Sequence, residues 1–144
     1  MDFSPPQRKK NDLPDGDDNL FQLEQFALFD MEQGLKACGS IAMLTELLTL
    51  MISSEIPNDL DQMKRAFDNK DFSQVEYVAH KIKGGAMYVG TIRMRYACQY
   101  LERYWKSGER KLFNALFHQA VEIIRDTREY LIDWLQQHAC EQRR

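Results

Sequence analysis

The sequence predicts an all-α protein, an antiparallel four-helix bundle with a short N-terminal covering helix. Two observations favour this fold class. Apolar residues recur at spacings of three and four along most of the chain, which is typical of amphipathic helices with one buried face. No stretch alternates apolar and polar residues as a strand does, and the helical segments are joined by short connections. Together these features predict helices that run up and down around one core.

Length and composition suit one compact domain. The chain has 144 residues, of which 44% are hydrophobic and 28% are charged. Residues 1–19 contain all but one of the prolines and few groups to bury, so we predict a disordered tail or linker there and the bundle over residues 20–140. The net charge of -3 does not favour nucleic acid or an anionic membrane. With neither a signal peptide nor a long apolar span, and three cysteines in no metal-binding spacing, we expect a cytoplasmic protein.

Capping residues predict where the early helices begin. Residues 20–29 are dense in apolar groups but irregular, so we expect a partly helical cover over the bundle end. Asp30 is predicted to cap a short helix that stops at Gly39, and Ser40 to cap the next helix. Pro57 then interrupts the pattern, and either kinks one long helix or starts a second one.

Three later helices follow from the same signals. Asp71 with Gln74 indicates a capping box for the first of them, which ends at Gly90. Thr91 is the predicted N-cap of the second, and the third is predicted from about residue 110 to residue 137. Its apolar stripe comprises Phe113, Leu116, Phe117, Ala120, Ile124, Thr127, Leu131 and Trp134.

One histidine lies off the buried stripe of its helix. The stripe comprises Phe72, Val75, Ala79, Ile82, Ala86 and Val89. His80 follows Ala79 and is therefore turned by about 100° away from the stripe. We expect its imidazole to face solvent or a partner protein.

The turn at Gly90 predicts what lies beside His80. If the flanking helices are antiparallel and rise equally, residues 99–102 oppose His80. A Glu102 carboxylate accepting from Nδ1 would orient the imidazole and leave Nε2 as a free lone pair, which a nucleophilic imidazole requires. Lys83, one turn along, could offset the charge of an arriving phosphoryl group. A solvated lysine and an ordinary surface glutamate are the alternatives.

Two glycines inside the helix also require a reason, because each costs about 1 kcal/mol relative to alanine. A bare surface at Gly84 would let a partner's backbone approach His80, whereas Gly85 can instead serve close helix packing. Tyr77 and Met87 fit a docking patch around the histidine, with rim packing as the alternative. Further candidate contacts for an acidic partner are Lys81, Arg93, Arg95 and Arg103. His118 and His138 are interpreted as ordinary surface or core residues without a chemical role, and Cys98 as core.

These residues resemble a known family. The string AHKIKGGAMYVG, residues 79–90, is similar to the signature of histidine-containing phosphotransfer (HPt) domains, with a histidine, an apolar residue, Lys, Gly and a later Gly. The segment CQYLE, residues 98–102, resembles the family's CxxLE segment, and LFDMEQGL, residues 28–35, resembles HPt modules of bacterial hybrid sensor kinases. The resemblance covers roughly residues 29–137.

The resemblance implies a phosphorelay intermediate. His80 would take a phosphoryl group from the aspartyl phosphate of one response-regulator receiver domain and pass it to another, with Lys83 assisting charge and Gly84 assisting access. The position matching Glu102 is often Gln in the family. HPt domains have no nucleotide site and take Mg²⁺ from the receiver, so the resemblance implies a carrier that is not itself an enzyme. We expect this carrier to be a monomer.

Two other interpretations remain at this point. One is a helical interaction module that binds receivers without accepting phosphate. The other is a sensor kinase dimerisation domain, whose histidine is followed by Glu and then by a Thr-Pro pair, whereas Lys-Ile-Lys-Gly follows His80.

Overall fold

The computed structural model describes residues 13–142, and the side chains of residues 13–138, all of it without a strand. The prediction of an all-α protein is therefore confirmed. The elements are a 3-10 helix (Asp17–Phe21), α1 (Met31–Cys38), α2 (Ile41–Leu50), a π-helical segment (Met51–Glu55), α3 (Ile56–Asp68), α4 (Phe72–Val89), α5 (Ile92–Lys106) and α6 (Phe113–Gln142). The last helix begins three residues later than the sequence predicted.

Side-chain caps start three of these helices as predicted. Backbone N–H groups donate to Asp30 Oδ1 at 3.1 Å, to Ser40 Oγ at 3.1 Å and to Asp71 Oδ1 at 3.3 Å. Thr91 is the N-cap of α5, as predicted, but its side chain makes no capping hydrogen bond to that helix. The Thr91 hydroxyl donates backwards to the carbonyl of Ala86 at 3.3 Å, so it binds the end of α4 instead.

The N-terminal segment crosses the predicted boundary at residue 19. A 3-10 helix spans that boundary because Leu20 and Leu23 are buried in the core. After it the chain turns without a further helix until α1, and Arg93 holds this cover in place: its Nε donates to the carbonyl of Phe26 at 2.8 Å. Residues 1–12 of the predicted tail lie outside the described residues.

Pro57 neither ends a helix nor starts a new one. Residues Ile41–Asp68 run as one helix with a π-helical insert just before the proline. In this insert the Ile56 N–H donates to the carbonyl of Met51, five residues earlier. The next carbonyl, that of Ile52, would need the N–H that Pro57 lacks. Arg128 Nε donates to it instead at 2.8 Å, so a side chain of α6 replaces the missing donor.

We expect Arg128→Met to lower the free energy of unfolding by about 1–3 kcal/mol, because it leaves a partly buried carbonyl without a donor. Chemical denaturation measures this loss. Arg125→Met removes a neighbouring but exposed arginine of α6 and should change stability by less than about 0.5 kcal/mol. Equal effects of the two substitutions would contradict a capping role for Arg128.

Helix α4 buries one face against three other helices, α1, α3 and α5. Of its six predicted stripe residues all but Phe72, which is half-buried, are buried, and Val78 is buried as well. α1 crosses the end of α4 closely: a Cβ at Gly34 would lie 2.7 Å from the carbonyl oxygen of Val89. Gly90 takes the left-handed conformation, with φ of 81°, and packs against the carbonyl of Asp30.

All eight predicted apolar positions of α6 are buried. Between residues 13 and 142 no single helix has both the length and the apolar character to cross a membrane. Two helices, Met31–Cys38 and Ile41–Asp68, meet the two requirements only when they are taken together, and the chain bends by 103° between them. Leu44 and Leu48 of that pair are buried in the core.

Candidate functional site

His80 projects from the middle of α4 towards solvent, as its position in the helical pattern predicted. Its side chain is 59% exposed, whereas the preceding Ala79 is completely buried. The ring nevertheless has one fixed contact. Nδ1 lies 2.7 Å from Oε2 of Glu102, which α5 presents from the opposite side of the turn at Gly90.

Glu102 is a buried carboxylate with three partners. It has no exposed surface, and besides His80 it binds two ammonium groups. Lys83 Nζ donates to Oε1 at 2.8 Å, and Lys106 Nζ donates to Oε2 at 3.1 Å. We call Glu102, Lys83 and Lys106 the charge cluster. The sequence-based alternative, an ordinary surface glutamate, is excluded by this burial.

The charge cluster keeps Glu102 ionised. Burial by itself raises the pKa of the carboxyl, but hydrogen bonds from Lys83, Lys106 and His80 outweigh it and lower the pKa to about 2. An ionised carboxylate can only accept hydrogen bonds, so Nδ1 of His80 carries the hydrogen that it donates. In a neutral ring Nε2 then carries no hydrogen, and its lone pair lies on the exposed edge of the imidazole.

The lowered pKa predicts an acid-sensitive fold. A carboxyl whose pKa falls from 4.5 to about 2 on folding stabilises the protein above its unfolded pKa, and the stabilisation disappears as pH falls from about 5 towards 2. The contribution is on the order of 3 kcal/mol. Urea denaturation between pH 7 and pH 3 should therefore show wild type losing more stability than Glu102→Gln, with exposed Glu122→Gln as the matched control. Parallel losses in wild type and Glu102→Gln would contradict this coupling.

Lys83 binds Glu102, a contact that the sequence analysis did not include. Its side chain is only 11% exposed and is held by the carboxylate, so the alternative of a solvated lysine is wrong. Lys106 was not singled out from the sequence as a site residue. The Glu102–Lys106 spacing of four residues on one helix was the available signal.

Two residues that were predicted to contact a partner protein form hydrogen bonds within the chain. Lys81 Nζ donates to Asp59 Oδ1 at 3.0 Å, although the Lys81 side chain remains 57% exposed. Asp59 is buried on α3 and was missed, because nothing local distinguishes it from a surface acid. Arg93 holds the N-terminal cover, so the prediction that it contacts a partner is not supported. The Arg95 guanidinium lies 5.3 Å from the ring centre of Tyr96.

Exposed apolar groups and bare backbone lie along α4 on either side of His80. Tyr77 is 61% exposed, Met87 50% and Tyr88 66%, so the alternative of rim packing is not supported. A Cβ built at Gly84 or at Gly85 meets nothing within 4 Å. The interpretation of Gly85 as a close-packing glycine is therefore wrong, and Gly34 is the residue that fills this role.

The other candidate side chains lie apart from this arrangement. His118 is exposed and packs edge-on against Phe67 and Phe117, whereas His138 stacks on Trp134. Cys98 is fully buried, and burial raises the pKa of its thiol, which agrees with a core role. The side chain of Cys140 lies outside the described residues. Over residues 13–142 no three of the His, Cys, Asp and Glu residues cluster as metal ligands would.

Comparison with known proteins identifies one family. The family model described as "Hpt domain" matches residues 46–138, which include α4, α5 and every residue of the charge cluster. No curated protein and no solved structure matches the chain significantly. The matched region covers more than half of the chain and contains the exposed histidine with its oriented ring. The chain therefore belongs to the Hpt domain family.

Proposed function

We propose that this protein is a phosphorelay intermediate that carries a phosphoryl group between two response-regulator receiver domains on His80. Membership of the Hpt domain family implies a histidine phosphotransfer role in phosphorelay signalling. The observation that carries the assignment to His80 is its exposed ring, whose Nδ1 is held by a buried carboxylate. In a neutral ring that hydrogen bond leaves Nε2 unprotonated, on an exposed side chain that a partner could reach.

The transfer needs no proton to move. The Nε2 lone pair attacks the phosphorus of the receiver's aspartyl phosphate, the P–N bond forms, and the bond from phosphorus to the aspartate oxygen breaks. The aspartate leaves as a carboxylate with the electron pair, and the ring gains a positive charge because Nδ1 keeps its hydrogen. Glu102 lies 2.7 Å from that nitrogen and stabilises the charge. The reverse steps deliver the group to a second receiver.

Lys83 contributes the cation beside this nucleophile, because its ammonium is fixed on the oxygen of Glu102 that His80 does not use. Hpt domains are phosphocarriers and not kinases. We propose that the Mg²⁺ of the reaction comes from the receiver domain and that transfer takes place in the cytoplasm.

Receivers would bind over one surface, which we call the docking face. It comprises Tyr77, His80, Gly84, Met87 and Tyr88. Bare backbone at Gly84, one helical turn from His80, supports close approach, and the exposed aromatic and methionine side chains supply apolar area. Lys81, at the margin, is a candidate contact for acidic groups. We further propose a monomer in which four long helices form an antiparallel bundle.

Transfer from a labelled receiver tests this proposal. A receiver domain phosphorylated with ³²P is mixed with the full chain, the two are separated, and peptide mapping locates the label. We expect acid-labile label on the peptide that contains His80. A stable complex in which the chain takes no label would refute the proposal and favour an interaction module that only binds receivers.

A further inference from the structure

We infer that Lys106 is a positioning residue for phosphoryl transfer, acting through Glu102 and not by touching the ring. This inference rests on the proposed function. Lys106 Nζ donates at 3.1 Å to Oε2 of Glu102, the same oxygen that accepts from His80 Nδ1 at 2.7 Å. Lys83 occupies the other oxygen. Lys106 therefore shares a single acceptor atom with the phosphoryl-carrying ring.

A carboxylate at this position has two opposed effects on the reaction. It stabilises the positive charge that the ring gains when Nε2 binds phosphorus, but it repels the negative oxygens of the arriving phosphoryl group. Because Glu102 has no exposed surface, water screens neither effect fully. An orienting glutamate is compatible with phosphoryl transfer only where nearby cations offset its charge.

The two lysines differ in how they offset the negative charge of Glu102. With Lys83 alone, the charge cluster would be neutral, and with Lys106 it carries one net positive charge. The Lys83 side chain is 11% exposed and fixed, whereas that of Lys106 is 48% exposed at the rim of the site. Lys106 is thus the cation that makes the charge cluster net positive and that binds the shared oxygen.

An ordinary helix-surface ion pair would have a different consequence. A pair four residues apart stabilises a helix by about 0.3–0.5 kcal/mol and has no effect on chemistry elsewhere. A positioning role requires in addition that the effect of Lys106 on transfer depends on the charge of Glu102. A double-mutant cycle between the two residues separates these possibilities.

The experiment measures single-turnover transfer from a saturating ³²P-labelled receiver to five chains: wild type, Lys106→Met, Lys106→Arg, Glu102→Gln and the double variant of Lys106→Met with Glu102→Gln. We expect Lys106→Met to slow transfer about tenfold, which corresponds to about 1.4 kcal/mol. In the Glu102→Gln background, where no carboxylate charge needs to be offset, the same change should slow transfer by less than about twofold. Lys106→Arg keeps the cation and should stay within about threefold of wild type.

Thermal melting of each chain checks that a slower transfer is not caused by unfolding. Because Lys106 is half exposed, its loss should leave the fold intact. Transfer by Lys106→Met at the wild-type rate would overturn the inference. An equal slowing by Lys106→Met with and without the Glu102 carboxylate would overturn it as well, since Lys106 would then act independently. A wild-type chain that accepts no label at all refutes the proposed function, and this inference with it.

Discussion

Replacing His80 by glutamine should abolish phosphoryl acceptance and leave the protein folded. Glutamine has no nucleophilic nitrogen, because its amide lone pair is delocalised into the carbonyl, so no P–N bond of the required kind can form. Its NH₂ group can still donate to Glu102, which keeps the buried carboxylate paired. With the side chain 59% exposed, the stability change should stay within about 1 kcal/mol. Label from a phosphorylated receiver should fall to the level of a blank.

His118→Gln is the matched control, since His118 is also exposed and also on a long helix. It lies against Phe67 and has no carboxylate partner among the described residues, so the variant should accept label at the wild-type rate. Label that persists on His80→Gln would show that another residue accepts the phosphoryl group.

Helix termini could be predicted from the sequence because the interactions that make them are local. Asp30, Ser40 and Asp71 each accept a hydrogen bond from the residue three positions later, so a four-residue window contains the whole signal. Thr91 has the same local signal but a different outcome. Its hydroxyl is buried against the end of α4, and the partner it finds there depends on how the two helices meet.

The position of Glu102 beside His80 could also be predicted, because two helices with the same rise per residue, joined at Gly90, bring residues at similar distances from the turn together. The burial of Glu102 could not be predicted in the same way. A glutamate beside a lysine four residues on is ordinarily a surface pair, and only the packing of α5 against α4 and α6 removes this carboxylate from water. The same is true of Asp59, whose partner Lys81 lies 22 residues away on another helix.

Gly84→Leu should slow phosphoryl transfer about 100-fold while making the protein slightly more stable. Leucine is a far better helix former than glycine, and a Cβ at Gly84 meets no atom within 4 Å, so the free energy of unfolding should rise by up to about 1 kcal/mol. The same side chain would occupy the docking face one turn from His80. A displacement of about 1 Å between nucleophile and phosphorus is enough to cost about 100-fold in rate. Single-turnover labelling and thermal melting measure the two effects.

Ala115→Leu places the same side chain at an exposed position on α6 and should change neither rate nor receiver affinity. Opposite signs for stability and transfer at Gly84 are what separate a surface kept bare for a partner from a glycine needed by the fold. Loss of stability in Gly84→Leu would show that the open space beside α4 is not available to a side chain. Wild-type transfer in a stable Gly84→Leu chain would place the receiver's backbone elsewhere, and Gly84 would then no longer belong to the docking face.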